Sequence, residues 1–139
     1  MRVLHFYRTA PPDSMGAIEQ TIHQIALQTH KLGVKTDVLF LSSSKEGRTV
    51  DMNGYRVQRV KLDLQIASTG FSVSAFSRFY QLAKRADIFH YHFPWPFMDM
   101  VHFATRVAKP TVVNYHWDII RQQQLSNCIG HCSKSFLTA

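Results

Sequence analysis

Residues 2–41 read RVLHFYRTAPPDSMGAIEQTIHQIALQTHKLGVKTDVLFL, and the order of patterns inside them decides the fold. The opening RVLHFY, 2–7, is a short apolar run rich in β-formers, and RTAPPDSMG behind it is full of breakers. That is a strand running into a loop. Ile18, Ile22, Ile25, Ala26 and Leu32 then recur at helical spacing, with polar residues between them. Asp13 and Ser14 are candidate caps at the helix start, and Gly33 stands where a stop belongs. VKTDVLFL, 34–41, is a second strand. A strand, a helix and a strand in this order make a crossover of the length that joins parallel neighbours.

The alternation continues downstream. TVDMNGYRVQRV, 49–60, sets Asn53-Gly54 between two strand-like runs, the signal for a two-residue hairpin. SVSAFSRFYQLAKRA, 72–86, is an amphipathic helix with Phe76, Phe79, Leu82 and Ala83 on one face. DIFHYH, 87–92, is a strand, PFMDMVHFATRVA, 96–108, a helix, and PTVVNYH, 110–116, a strand again. The pattern predicts an α/β protein: an open, mostly parallel sheet with helices on both faces and one β-hairpin. From 122 to 139 apolar periodicity is lost, and the stretch reads as a poorly packed tail.

At 139 residues the chain is one domain's worth, and 45% hydrophobic with 18% charged residues is ordinary globular composition. No apolar run approaches the roughly 20 residues of a membrane-spanning helix, and the N-terminus lacks a small-residue cleavage site. The two cysteines, Cys128 and Cys132, make no disulfide framework, and their C-x-x-x-C spacing lacks a second pair for structural zinc. A reducing, cytoplasmic setting is expected. Sixteen Lys and Arg against nine Asp and Glu give a net charge of +7, which favours phosphates or an anionic membrane face. The charges are scattered from Arg2 to Lys134, with no helix-turn-helix or stacking-aromatic pattern, so no nucleic-acid partner is expected.

Ligands of open α/β sheets sit beyond the carboxyl ends of the strands, where the crossover direction reverses. Three loops qualify: PPDSMGAIE, HYHFPWP and NYHWD. In the first, Gly16 lets backbone amides near an anion at a helix N-terminus, or simply starts the helix. In the second, Pro94 and Pro96 end the strand and stiffen the turn. His90 and His92 share a strand face. A metal there would need a further ligand, and His116 is the rim candidate; histidines hydrogen-bonded across neighbouring strands are the alternative, and no metal is expected. His116 in the third loop would accept a proton or bind a sugar hydroxyl. Asp118 either orients it or caps a helix at Ile119.

The segments RVLHFYRTAPPDSMGAIEQTIHQIA, DIFHYHFPWPF and KPTVVNYHWDII together resemble the N-terminal, acceptor-side half of a GT-B glycosyltransferase of family GT4. The likeness is strongest to the mannosyltransferases, or related sugar transferases, that build bacterial O-antigen chains. It covers residues 1–121 and implies a Rossmann-like domain facing a second, donor-binding domain that is missing here. It implies retaining transfer of mannose from GDP-mannose to a lipid-linked polysaccharide acceptor, with no cofactor besides the sugar nucleotide. By resemblance Gly16 and Ala17 lie near the donor phosphates and acceptor, Ala17 replacing the family's second glycine. His116 would then be catalytic, reaching toward the donor sugar, while His92 and Asp118 line the acceptor-side rim. The implied location is cytoplasmic, with peripheral contact to the inner membrane.

The break in pattern near 122 leads to the expectation of a prematurely ended or frame-shifted chain, inactive alone. The other reading is a non-catalytic module that binds the acceptor or a membrane surface.

Overall fold

The computed structural model describes residues 1–44, 49–67 and 69–116. The tail at 122–139, its two cysteines and Asp118 lie outside the described residues. Within them the chain runs β1 (Arg2–Tyr7), α1 (Ala17–Lys31), β2 (Lys35–Ser42), β3 (Thr49–Asp51), β4 (Arg56–Lys61), β5 (Leu64–Ile66), β6 (Thr69–Phe71), α2 (Val73–Arg85), β7 (Ile88–Phe93), α3 (Pro96–Thr105) and β8 (Thr111–Tyr115). The main sheet has the order β3-β4-β2-β1-β7-β8. The pairs β1–β2, β1–β7, β2–β4 and β7–β8 are parallel, and only the edge strand β3 runs antiparallel. The expected α/β architecture, Rossmann-like and mostly parallel, is the one observed.

Local chemistry sets the element ends. Leu32 closes α1, and Gly33 at φ 82 turns the chain in the left-handed region while its N–H and that of Val34 bond back to His30 and Thr29. Asn53 and Gly54 both take positive φ, as a two-residue hairpin turn requires, and Met52 N–H donates to the Tyr55 carbonyl at 2.9 Å. Ser72 caps α2, accepting from Ala75 N–H. Asp13 and Ser14 do not cap α1; Gly16 holds that position, and both side chains are engaged elsewhere. The small β5–β6 hairpin had no signal in the alternation pattern.

Alternation along the strands separates two cores. Leu4, Phe6, Leu39, Phe89 and Tyr91 pack with α2 and α3 through Phe79, Leu82, Phe97 and Met98. Tyr7, Val38, Phe40 and Val57 pack with α1 through Ile22 and Ala26. Trp95, expected in a rim loop, is 1% exposed and stands edge-on to Phe6 at 4.8 Å. The dense special residues after β7 thus plug the core, each buried aromatic contributing about 2 kcal/mol.

Crossovers from β1 proceed to β2 and β4 on one side; β7 and β8 lie on the other. The direction therefore reverses between β1 and β7, and ligands of open α/β sheets bind beyond the carboxyl ends of the strands at such a switch point.

Candidate functional site

Because β1, β7 and β8 are parallel, the turns that follow them open at one end of the sheet. His116 follows β8 directly, its N–H bonded to the Phe93 carbonyl at 2.9 Å. Two polar assemblies occupy this end, one on each side of β1.

The first is a line of imidazoles. Registry sets His5 of β1 beside His90 of β7, and the period of two puts His92 on the same face. His5 Nδ1 lies 3.1 Å from His92 Nε2, and His92 Nδ1 lies 3.0 Å from His116 Nε2. The ring centroids of the two pairs are 5.4 Å and 5.2 Å apart, with planes within 17° and 22°. Such spacing fits rings joined nitrogen to nitrogen in nearly one plane, not rings stacked face to face. His90 lies alongside, 4.5 Å from His5 and 4.7 Å from His92 between centroids. It hydrogen-bonds Asn114, while its Nε2 has no partner among the described residues.

All four rings favour the neutral form. Burial, and then the neighbouring His90 and His116, press the His92 pKa down to about 3. Burial followed by His90 and His92 holds His5 well below the usual imidazole value. Burial also lowers His90, against the opposing Asn114 bond, and lowers His116. His5, His90 and His92 lie close enough to be weighed as metal ligands. Yet two of them already spend nitrogens on each other, and nearly parallel rings do not aim their lone pairs at one point.

The second assembly is an open cleft of about 500 Å³ across the ends of β1 and β2, lined by Arg8, Asp13, Ser14, Glu19, Ser42 and Gln65 among others. Asp13 pairs with Arg59 and accepts from Ser42 at 2.7 Å. Glu19, in the first turn of α1, accepts from Thr9 and Ser14. Burial raises its pKa, but these hydroxyls, its own backbone N–H and the charge of Arg8 outweigh that and lower it overall. The cleft thus offers carboxylates, hydroxyls and an exposed guanidinium, a set that suits sugar hydroxyls and phosphate oxygens.

The residues singled out by sequence divide between these assemblies. His92 and His116 come together. His92 is 0% exposed, so it is no rim residue and reaches a ligand only through His116. Gly16 and Ala17 start α1 beside the cleft. Gly16 has φ −70 and ψ 179, backbone that any residue adopts, but a Cβ there would come within 2.6 Å of Glu19 Oε2. Its smallness makes room for the protein's own carboxylate at the helix N-terminus, where the sequence suggested an incoming anion. Ala17 is exposed. His5 and Glu19 were missed. Gly16-x-x-Glu19 has the spacing of a capping box, and His5 is one strand across from His90, a relation that only pairing order reveals.

A sheet that reverses direction in this way occurs in many nucleotide- and sugar-handling proteins, so the family has to come from sequence. The model of Glycosyltransferase Family 4 matches residues 18–136. The chain belongs to glycosyltransferase family 4. Its similarity to D-rhamnosyltransferase WbpZ of Pseudomonas aeruginosa is 53% identity over 125 residues, covering 90% of this chain and 33% of that protein. With O-antigen chain mannosyltransferase C of Escherichia coli it shares 42% identity over 139 residues, covering all of this chain and 38% of that protein. Against these curated relatives the family 4 chain therefore spans between 33% and 38% of their length. The family match continues through residues 122–136, the stretch that pattern alone assigns to a tail. No helix among the described residues is long and apolar enough to cross a membrane.

Proposed function

We propose that this chain forms the acceptor-side wall of a retaining O-antigen sugar transferase, moving mannose from GDP-mannose to a lipid-linked saccharide. The observation that carries the reading is the family 4 match over residues 18–136, joined to the β1–β7 reversal of the sheet, at whose carboxyl end His116 lies against His92. In such a transfer the bond from the anomeric carbon to the nucleotide diphosphate breaks. A bond to the acceptor oxygen forms on the same sugar face, and the acceptor proton leaves with the diphosphate. His116, neutral and held from behind by His92, hydrogen-bonds the donor sugar. Arg8 stands toward the phosphates, and Asp13, Ser42 and Glu19 toward the acceptor hydroxyls. No bound metal is invoked; the opposite wall of the GT-B cleft supplies the rest of the charge stabilisation.

The relatives' names differ at one group, since D-rhamnose is mannose without the 6-hydroxyl. The reading is tested by titrating the chain with a mannose-terminated O-antigen oligosaccharide and, separately, with GDP-mannose in a transfer assay. Saccharide binding that moves signals of Asp13, Ser42 and Glu19, without turnover, is expected. Absence of saccharide binding removes the acceptor-wall reading, and turnover by the chain alone removes the need for a second wall.

A second reading, a membrane-surface module, has its own observation: Phe103 and Met100 of α3 are 74% and 51% exposed beside Arg106, on a chain of net charge +7. Flotation with anionic liposomes decides it, and binding that fails to appear at low salt eliminates it.

A further inference from the structure

His5, His92 and His116 are joined in one sense throughout: Nδ1 of each ring meets Nε2 of the next. A neutral imidazole has one N–H and one bare nitrogen, and each link needs one of each. If His5 carries its proton on Nδ1, it donates to His92 Nε2. His92 must then carry its own on Nδ1, donate to His116 Nε2, and leave His116 protonated on Nδ1. If His5 is instead protonated on Nε2, every assignment reverses, and His116 donates inward through Nε2 with a bare Nδ1. No mixed arrangement satisfies both links. His116 Nδ1 has no hydrogen-bond partner among the described residues, so it is the end of the line that a ligand can meet.

We propose that these three imidazoles form a single tautomer-locked unit, in which the proton position on buried His5 sets whether His116 Nδ1 donates to a sugar hydroxyl or accepts from one. His5 and His92 are therefore positioning residues for His116. Isolated imidazole in water exchanges tautomers freely; inside the sheet the three rings switch together or not at all. His5 is 1% exposed and His92 0%, so water has little access to break the links. Near neutral pH all three stay uncharged, as the line requires. The consequence for specificity is direct: a fixed donor and a fixed acceptor prefer opposite hydroxyl orientations, and a site built for one leaves the other unpaired. The use of this device rests on His116 facing the sugar; the device itself does not.

The test is nitrogen-15 histidine NMR on the 139-residue chain near neutral pH. Ring-nitrogen shifts assign each tautomer, and nitrogen–nitrogen coupling across the two links shows whether they form. A common tautomer at His5, His92 and His116, with both couplings present, is the expected result. His5→Phe keeps a buried ring but removes the inner partner, and should change the tautomer balance at His116, two rings away. Asn114→Ala, which breaks a bond to His90 outside the line, should leave that balance in place. Different tautomers among the three, a missing coupling, or a His116 signal unmoved by His5→Phe overturns the proposal. Should His5→Phe fail to fold, the wild-type tautomers and couplings decide alone. Saccharide binding is measured separately, so the lock can stand while the sugar reading falls, or the reverse.

Discussion

The two sides of β1 solve the same problem in opposite ways. Toward β2 the rim is open and charged: hydroxyls and Arg59 satisfy the carboxylate oxygens of Asp13 and Glu19, with solvent close by. Toward β7 it is closed and uncharged: imidazoles satisfy one another, and burial forbids the proton that would charge them. Charge is cheap where water reaches and costly where it does not, so adjoining polar clusters of one sheet titrate and tolerate mutation differently.

That contrast breaks most visibly at His92. His92→Ala removes a 0% exposed ring and strands a nitrogen on both neighbours, and should cost about 3 kcal/mol in denaturant unfolding. A loss under about 1 kcal/mol would mean that the line contributes little to stability.

Acid sharpens the comparison next. The folded pKa of His92 is depressed from 6.5 to about 3, so the unfolded chain binds that proton first. Its contribution to stability is complete above pH 6.5 and declines as pH falls toward 3. The slope is about 1.4 kcal/mol per pH unit for each histidine held neutral. Glu19, with its pKa lowered from 4.5, contributes fully only above that value and loses its contribution below it. Unfolding midpoints measured from pH 7.5 downward should therefore begin to fall near pH 6.5, before any carboxylate effect. His5→Phe should flatten that upper limb. A profile flat from 7 to 5 would contradict neutral burial of the imidazoles.

The smallest effect belongs to the open side. Gly16→Ala drives a methyl onto Glu19 Oε2, so the carboxylate must shift and loosen the bonds that its Oε1 accepts from Thr9 and Ser14, at a cost of about 1 kcal/mol. Combined with Glu19→Ala, which removes the obstacle, the glycine change should cost almost nothing more. Additive losses in that double-mutant cycle would place the clash elsewhere.

Much of this was readable in advance because it depends on local chemistry. Helical spacing from Ile18 to Leu32, the stop at Gly33 and the turn at Asn53-Gly54 reproduce in place, since backbone sterics act within a few residues. The pairing order was legible in kind, as parallel strands on an α/β plan, and it put the turns after β1, β7 and β8 at one end. The alternative of histidines bonded across neighbouring strands proved right for His92. The β5–β6 hairpin escaped because its strands are three residues each, too short for a period to register. The capping assignment failed at Asp13 and Ser14 because Arg59, Ser42 and Glu19, brought in by tertiary contacts, compete better for those side chains.

Alone, the order of residues settled the helices and the strands of the main sheet, which strand ends carry breakers, and the family to which the chain belongs. Those depend on near neighbours and on pattern. Only the folded sheet decided that His5 lies against His92 and that His92 is sealed from solvent. These are meetings between residues far apart in the chain, created by strand pairing, and their energies exist only once water has been excluded between them.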